Sequence, residues 1–423
     1  MRPACRSATT SPAGRADRRS CSPTRRAARW SSSNPRARET AVSRPPLTAV
    51  LREWGRIGCI GFGGPPVHIA LLRELCVVRR GWLEDREFED AIAATNLLPG
   101  PASTQLAIYC AWRLRGVAGA LLGGASFILP GLVLIIALGA LFLAASPPDW
   151  VLGAGAGSGA AVAAVAVHAA ATLAPASLRR ATHRRRWVAY LLVGALAAAT
   201  LGAWLVVVLV ACGALEITFQ RRRSSGGGAA GVHPWPVLAA AGAASGGLLA
   251  LAWVAFKVGA LSYGGGFVII PLMQHDAVDA YHWMTDGQFL NAVALGQVTP
   301  GPVVHTVAVV GYAAAGIGGA LLAALVAFAP SFSLILIGAR RFDRLRANRA
   351  VRAFLDGAGP AAIGAIAGAS IPLALALTET WQVCVLAGAA VALLLTRRGV
   401  VLTLVAAGAA GILGTALGAP LPS

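Results

Sequence analysis

Two copies of the triplet Pro-Gly-Pro interrupt the apolar parts of this sequence, 201 residues apart. The first, Pro99-Gly100-Pro101, lies in the stretch NLLPGPASTQ, and the second, Pro300-Gly301-Pro302, lies in GQVTPGPVVHT. Proline removes an amide donor and glycine loosens a helix, so each triplet should break any helix around it. Unpaired backbone groups are tolerated at membrane depth only where they are buried in protein or line a wet cavity. The sequence therefore predicts helices that are broken at a protected place.

The triplets belong to a longer duplication. The same shift of 201 residues aligns further pairs, which are Arg56 with Lys257, Gly58 with Gly259, Phe62 with Tyr263, Gly63-Gly64 with Gly264-Gly265, Trp82 with Trp283, Asp85 with Asp286, Phe88 with Phe289 and Asn96 with Gln297. A fixed offset held over this many positions predicts two homologous halves, each with a glycine-broken element followed by the Pro-Gly-Pro element.

Composition decides the class of protein. Of the 423 residues, 57% are hydrophobic and only 13% are charged, and mean hydropathy is +0.67. Runs such as FILPGLVLIIALGALFLAA approach the roughly 20 residues that a spanning helix needs, and their glycines and alanines suit close helix packing in lipid. We predict an all-α, polytopic membrane protein of two homologous inverted repeats with broken or re-entrant helices, embedded in the lipid bilayer.

Four segments follow from this pattern. Residues 1–45 are predicted to be a basic disordered arm, or an over-extended start; residues 46–219 form the first repeat, 220–236 a polar Gly/Ser linker, and 237–418 the second repeat. Unbroken apolar helices are expected near 116–144, 150–174, 187–200 and 202–218, and near 317–338, 357–376, 381–395 and 399–417.

The charges and cysteines exclude several functions. Much of the net charge of +19 lies in the arm, so it does not indicate a nucleic-acid partner. The seven cysteines have no CxxC spacing, and we expect them to fill space in helices rather than bind metal or form disulfides. Neither a metal nor a cofactor is expected.

The distribution of arginine predicts that the halves are inverted. The stretch Ala144–Trp150 has no Lys or Arg, whereas the matching stretch Ala339–Phe354 is rich in arginine. Between the glycine-broken and Pro-Gly-Pro elements the bias reverses. Short cytoplasmic loops collect Lys and Arg, so matching loops of opposite bias lie on opposite sides of the membrane. Inversion needs an odd number of crossings per repeat, and the apolar segment Val237–Phe256 is predicted to be an additional one in the second half. The broken elements either re-enter the membrane or cross it as a pair.

The breaks predict an anion site. A half-helix that begins inside the membrane directs unpaired N–H groups and a partial positive charge at its ligand. Such a start carries Ser103, Thr104 and Gln105 in the first half, and His305 and Thr306 in the second. The amides Asn96 and Gln297 precede the triplets. A single triplet of this kind is more often a simple kink, but the matched pair favours a binding site.

Arg56 and Lys257 are the candidates for attracting the anion. A cation deep in a bilayer costs roughly 2.5–3.5 kcal/mol on insertion scales, and the alternative is that both side chains reach the interface. Acids are expected to be nearly absent from span centres, with those of the second half mostly in loops. Asp85 and Asp286 are expected to serve helix capping rather than substrate contact, with TDGQ (285–288) as a capping box. His68 and His305 are expected to make local hydrogen bonds rather than to relay protons.

These motifs resemble the chromate transporter family in its long, two-domain form. The resemblance rests on IGFGGPPVHIALLREL, WLEDREFEDAIAATNLLPGPASTQLA, FKVGALSYGGGFVIIPLM and GQVTPGPVVHTVAVVGY, and covers roughly residues 48–417. It implies a bacterial inner-membrane permease that exports chromate and confers resistance, with sites around Gly63, Gly64, Pro99, Gly100, Pro101 and their mates Gly264, Gly265, Pro300, Gly301 and Pro302. Pro65-Pro66 aligns with Gly266-Phe267 of the second half, so the two glycine loops are not expected to be equivalent in detail.

Other readings stay open at this point. A permease for sulfate or another anion would carry chromate incidentally, because sulfate has the same shape and charge. A membrane-embedded enzyme acting on anionic lipid would need a nucleophile, base or metal cluster, and no such catalytic set accompanies the breaks. A structural scaffold is disfavoured by symmetry around broken helices. Assembly into a homo-oligomer also stays open.

Overall fold

The computed structural model describes residues 45–96, 98–201, 204–224, 247–262, 268–339 and 348–421, which all belong to one compact unit. Helices and their connections make up these ranges, and no strand occurs within them. The all-α prediction is thereby confirmed. Almost all of the predicted arm, most of the 220–236 linker, and the candidate residues Gly264 and Gly265 lie outside the described residues.

The helices of the first half follow the predicted order. They are α1 (Leu47–Ile60), α2 (Pro65–Arg73) continued by a π-helical turn (Glu74–Arg79), α3 (Asp85–Thr95), α4 (Ala102–Phe142), α5 (Asp149–Ala160), α6 (Val162–Arg180), α7 (Arg184–Thr200) and α8 (Leu205–Ser224). Pro65 and Pro66 occupy the first turn of α2, where a missing N–H costs nothing.

The described helices of the second half repeat this order. They are α9 (Leu248–Leu261), α10 (Ile269–Gln274) with its π-helical turn (His275–Ala280), α11 (Asp286–Val298), a 3-10 turn (Val303–His305), α12 (Thr306–Gly338), α13 (Arg349–Leu375), α14 (Thr380–Ala390) with a π-helical turn (Val391–Leu395), and α15 (Val400–Ala416). Both bounds of α9 lie 201 residues after those of α1. Helix α9 is therefore the repeat of α1. The prediction that Val237–Phe256 is an additional segment is wrong for residues 248–256, which belong to α9.

The broken elements of the first half form hairpins whose outer ends lie together. Arg80 at the end of α2 donates to Glu53 of α1 at 2.5 Å, and Arg113 of α4 pairs with Glu87 at the start of α3. A third ion pair, between Arg73 and Asp85 at 2.5 Å, joins the two hairpins. Each of the two elements therefore runs out and back as a hairpin, with the glycine loop and the Pro-Gly-Pro loop at the tips.

Helix α4 reverses its direction at Arg115 and Gly116, where the backbone is not helical and φ of Gly116 is +62°. We call residues 102–114 α4a and residues 117–142 α4b. A methyl group added at Gly119 would lie 2.2 Å from the Ala111 carbonyl oxygen, although eight residues of a continuous helix rise roughly 12 Å. The second half repeats the turn at Ala315 and Gly316, so residues 306–314 form α12a and 317–338 form α12b.

Long apolar helices confirm a multi-pass membrane protein. By length and composition, four helical stretches among the described residues are able to span a membrane: Ala102–Phe142, Asp149–Arg180, Val303–Gly338 and Arg349–Leu375. In the first of them α4b alone rises roughly 39 Å at 1.5 Å per residue, enough to cross the hydrocarbon core.

The two halves pack through small residues. A methyl group at Gly194 of α7 would lie 1.9 Å from the carbonyl oxygen of Ala361 of α13, and one at Gly157 of α5 would lie 2.2 Å from that of Ala407 of α15. Helices α7 and α5 of the first half thus pack closely against α13 and α15 of the second. Small residues allow this approach, which takes the place of a hydrophobic driving force between helices in lipid.

Candidate functional site

The two Pro-Gly-Pro loops, residues 99–101 and 300–302, each pack against the opposite half. Gly100 is buried with φ +113°, and a methyl group there would lie 3.2 Å from Ser331 Oγ of α12b and 3.4 Å from the Gly259 carbonyl oxygen of α9. Glycine adopts this backbone conformation without the steric cost that a side chain adds. The first loop is therefore seated among second-half helices.

The second loop is seated in the first half. The N–H of Gly301 donates to the Gly61 carbonyl oxygen at 3.0 Å, at the tip of the first glycine hairpin. A methyl group at Gly131 of α4b would lie 2.0 Å from the Pro300 carbonyl oxygen. Gly131 and Ser331 follow the helix prolines Pro130 and Pro330, which lie 200 residues apart, as the fold-back glycines Gly116 and Gly316 do. Counted from the fold-back, both loops therefore meet the facing long helix at the same position.

His68 connects three of these elements. Its Nε2 lies 2.9 Å from the Gly61 carbonyl oxygen, the same oxygen that accepts from Gly301, and its Nδ1 lies 3.3 Å from Ser103 Oγ at the start of α4a. The side chain is fully buried and its ring packs edge-on against Phe127. Its predicted local hydrogen bond is present, and the histidine in addition ties the tip of the glycine hairpin to the first Pro-Gly-Pro helix.

Polar atoms without partners gather around the two loops. Within the described ranges, Thr104 Oγ1, Gln105 Oε1 and Ser331 Oγ have no hydrogen-bond partner on the side of the first loop, although Gln105 Nε2 donates to the Pro99 carbonyl oxygen at 2.6 Å. On the side of the second loop, Gln297 Nε2 and both ring nitrogens of His305 have no hydrogen bond of normal geometry to a described residue. A buried polar group without a partner costs about 1–3 kcal/mol, so a cluster of them indicates a place for a polar ligand or water.

His305 is the most exceptional of these groups. It is fully buried, its ring packs edge-on against Phe328 of α12b, and a methyl group at Gly301 would lie 2.9 Å from its Cε1. The imidazole always carries at least one N–H, whichever tautomer is present. Among the described residues no hydrogen bond of normal geometry reaches either ring nitrogen, so the local hydrogen bond expected for His305 is not formed, although the Ile128 backbone of α4b interacts with the ring.

The helix starts add backbone donors. Helix α4a begins at Ala102 directly after Pro101, and the 3-10 turn before α12a begins at Val303 directly after Pro302. The first N–H groups of a helix have no partner within it and carry a partial positive charge. Pro101 and Pro302 each occupy the N-cap position, directly before the first helical residue.

The predicted capping box at the start of α11 is confirmed. Thr285 Oγ1 accepts from the Gln288 N–H at 3.3 Å, and the Gln288 side chain accepts from the Thr285 N–H at 3.0 Å. Asp286 itself lies outside this box, and its carboxylate accepts from Gln274 Nε2 at 2.8 Å.

The candidate residues from the sequence divide into groups. Those that are buried at the loops are Gly100, Pro101, Ser103, Thr104, Gln297, Pro300, Gly301, Pro302, His305 and Thr306. Thr306 already donates to the Val303 carbonyl oxygen at 2.9 Å. Gly64 is half-buried, and the exposed ones are Arg56, Gly63, Asn96 and Pro99.

Lys257 is held by a partner that the sequence did not indicate. Its Nζ lies 2.6 Å from Asp276 Oδ2, and the two side chains are 19% and 7% exposed. Asp276 lies in the π-helical turn after α10, not in a loop, so the expectation that second-half acids are mostly in loops is wrong here. Arg56 is exposed on α1 and is not equivalent to its repeat mate.

Gly131, Ser331, Phe127 and Asp276 are the site residues that sequence reasoning missed. The matched prolines Pro130 and Pro330 were a usable signal for the first two, because prolines at corresponding positions of the two halves mark a shared irregularity in two long helices. Asp276 had no such signal, since its repeat mate is Leu75.

Comparison with known proteins decides the family. The family model described as chromate transporter matches twice, over residues 48–217 and 249–412. The chain belongs to the chromate transporter family. A chromate transport protein of Cupriavidus metallidurans is 35% identical over 370 residues, 84% of this chain and 89% of that protein.

Further chromate transporter relatives cover most of the chain. A probable chromate transport protein of Synechococcus elongatus is 31% identical, over 75% of this chain and 82% of its own length. A chromate transport protein of Pseudomonas aeruginosa is 31% identical, over 77% and 80%. These relatives are named as transport proteins, in agreement with a transporter rather than an enzyme. No solved structure matches the chain.

Proposed function

We propose that this chain exports chromate from the cytoplasm across the bacterial inner membrane and thereby confers resistance to it. The relatives' names support chromate as the substrate, and the two Pro-Gly-Pro loops support an oxyanion site between the halves. Broken helices of two repeats that meet near the membrane midplane are a common plan for the substrate site of secondary transporters.

The observation that carries the proposal is the chemistry of the unpaired groups at the loops. Gln297 Nε2, the imidazole of His305 and the hydroxyl of Thr104 each have a hydrogen to donate, and the helix starts add backbone N–H groups. Chromate is a tetrahedral dianion with acceptor oxygens only, so it pairs with donors of this kind. Sulfate shares this chemistry and is the competing substrate within the same proposal.

Inverted halves are part of the proposal, and the contacts of α4b support them. Along this helix, α4a runs antiparallel, since Gly119 lies against Ala111 and Gly124 against Ile108. Helix α12a of the second half runs parallel to α4b, because Gly131 lies against the second loop, which precedes α12a, and Gly139 lies against Val309 of α12a. The equivalent segments α4a and α12a thus run oppositely relative to one helix.

Cysteine accessibility tests the inversion. In a background without other cysteines, Ser146→Cys and Arg349→Cys, both at exposed positions, should react from opposite sides of the membrane. We expect an impermeant maleimide added to intact cells to label residue 146 alone, because the arginine-rich stretch is cytoplasmic. Permeabilised cells, in which both sites should react, are the control. Labelling of both residues from outside would contradict inversion.

The membrane potential supplies a driving force for export. An inside-negative potential favours outward movement by about 2.3 kcal/mol per charge per 100 mV, hence roughly 4–5 kcal/mol for a dianion. Inside-out vesicles should therefore take up labelled chromate, and uptake should fall several-fold when the potential is collapsed with the pH gradient intact. Vesicles without the protein are the control.

Two outcomes of this assay count against the proposal. Uptake that persists unchanged without the potential contradicts potential-driven export. Labelled sulfate taken up faster than chromate, with chromate uptake abolished by equimolar sulfate, makes sulfate the substrate instead.

A further inference from the structure

Four helix ends meet at one place, where the two halves join. Arg186 of α7 donates from Nη1 to both carboxylate oxygens of Glu216 of α8, at 3.1 and 3.0 Å. Gln220 Nε2, one turn further along α8, donates to Asp356 Oδ2 of α13 at 3.2 Å. Three residues connect the end of α6 to the start of α7, so the end of α6 lies here as well. We call these helix ends the basic corner, which comprises residues 177–187, 216–222 and 349–356.

The basic corner carries a large excess of positive charge on its surface. Its two carboxylates are turned inward, since Glu216 is buried and Asp356 half-buried. Glu216 is also held by the hydroxyl of Tyr190, which donates to Oε2 at 3.0 Å. The exposed arginines are Arg179, Arg180, Arg184, Arg185, Arg221, Arg222, Arg349 and Arg352.

Most of this positive charge is not balanced by the chain. Arg180 and Arg352 act electrostatically on Asp356. Within the described ranges, no carboxylate forms an ion pair with the others that follow: Arg179, Arg184, Arg185, Arg222 and Arg349. A guanidinium presents several N–H donors in a plane, which matches the oxygens of a phosphate group, so the corner offers an anion several such partners at once.

The basic corner lies at the surface of the membrane. The spanning stretch Asp149–Arg180 ends in it, and the spanning stretch Arg349–Leu375 begins in it. Trp187 at the start of α7 is buried, and its Nε1 donates to Ser177 Oγ of α6 at 3.0 Å. Tryptophan and long basic side chains are typical of the layer in which lipid headgroups lie. The phosphates nearest to these arginines are therefore those of the lipids.

We propose that the basic corner binds the phosphate groups of anionic phospholipids in the leaflet that it faces. The preference of arginine for cytoplasmic loops explains the side of the membrane on which these residues lie. It does not explain why the helices of both halves bring them together around one joint. Basic clusters beside membrane helices, and basic pockets between such helices, bind anionic headgroups. This binding is separate from the oxyanion site at the Pro-Gly-Pro loops and needs no transported ion.

Photochemical cross-linking of lipid to the purified full-length chain tests the proposal. The chain is placed in nanodiscs of phosphatidylcholine that contain a small fraction of photoactivatable phosphatidylglycerol, and the cross-linked peptides are identified by mass spectrometry. We expect cross-links at residues 177–187 and 349–356 to be about five-fold more frequent than those from photoactivatable phosphatidylcholine at the same fraction. Raising the salt concentration should reduce this difference, because salt screens exposed charges.

A pair of double variants separates the basic corner from surface charge in general. Arg184→Gln with Arg185→Gln removes two exposed arginines of the corner and should lower its cross-linking to phosphatidylglycerol about three-fold. Arg397→Gln with Arg398→Gln removes two exposed arginines between α14 and α15, and it is the matched control. Cross-linking at the corner should be unchanged in this control.

Three results would overturn the proposal. The first is equal cross-linking of the corner by the anionic and the zwitterionic lipid. The second is full cross-linking of the Arg184 and Arg185 double variant, eluting as wild type on gel filtration. The third is loss of cross-linking when inorganic phosphate or chromate is added at constant ionic strength, because the corner would then bind a soluble oxyanion instead. Chromate uptake that fails while lipid cross-linking persists would overturn the transport proposal and leave this one standing.

Discussion

Alanine at Gly131 will abolish chromate uptake, because the added methyl group would lie 2.0 Å from the Pro300 carbonyl oxygen and 2.9 Å from His305 Cε1. The first of these atoms is backbone, so a side-chain rotation cannot relieve the clash. Overpacking of this kind costs about 1–3 kcal/mol or more, and here the strain falls on the second Pro-Gly-Pro loop. We expect the loop to leave its seat on α4b and the hydrogen bond from Gly301 to Gly61 to break. The measurement is chromate uptake by inside-out vesicles, together with the thermal stability of the purified protein.

Gly139→Ala is the matched control for this change. It lies on the same helix, and its added methyl group would meet nothing closer than Val309 at 3.4 Å, an ordinary contact. We expect uptake within two-fold of wild type for this variant, from the same helix and the same chemical change. Normal uptake by Gly131→Ala would contradict the seating of the loop on α4b.

Removing Lys257 alone will destabilise the protein by about 3–5 kcal/mol, because Lys257→Met leaves the buried Asp276 carboxylate without its partner. The double variant Lys257→Met with Asp276→Leu should recover stability to within about 1 kcal/mol of wild type, since a buried ion pair is often replaceable by apolar residues. Leucine is the natural choice, because Leu75 occupies this position in the first half and is buried there. Reversible unfolding in mixed micelles measures both effects.

Uptake by the double variant separates the two roles of Lys257. If its ammonium attracts the oxyanion, the stable double variant should still lose most of its chromate uptake. If the pair is purely structural, uptake should return with stability. A single variant Lys257→Met that is as stable as wild type would contradict the burial and pairing of Asp276.

Much of this fold is predictable from the sequence, because the signals are physical and local. Proline and glycine at positions 99–101 and 300–302 dictate breaks, and apolar runs dictate membrane helices. The offset also implies that α9 repeats α1, which the interpretation of Val237–Phe256 as an additional segment missed. The fold-back at Gly116 and Gly316 is harder to foresee. A glycine within an apolar run fits a continuous helix equally well, and only the contact of Gly119 with Ala111 separates the two.

The sequence predicts which loops form the candidate site, but it does not predict which residues contact them. The candidate residues from Gly100 to Thr104 and from Gln297 to Thr306 are buried where the breaks predicted a protected place. Which half each loop rests against depends on packing between residues far apart in sequence, such as Gly100 with Ser331. The pairing of Lys257 with Asp276 has no counterpart in the first half, where Leu75 takes the place of the aspartate. The comparison of the two repeats therefore could not predict it.

Chromate binding by the purified chain in lipid nanodiscs most directly tests whether the loops form the oxyanion site. Wild type should bind labelled chromate saturably, whereas His305→Phe and Gln297→Leu should each bind at least 10-fold more weakly, because each removes a buried donor that makes no hydrogen bond of normal geometry to a described residue. Asn96→Leu, the exposed repeat mate of Gln297, should bind as wild type does. Unchanged chromate binding by a folded chain that carries both His305→Phe and Gln297→Leu would place the oxyanion elsewhere.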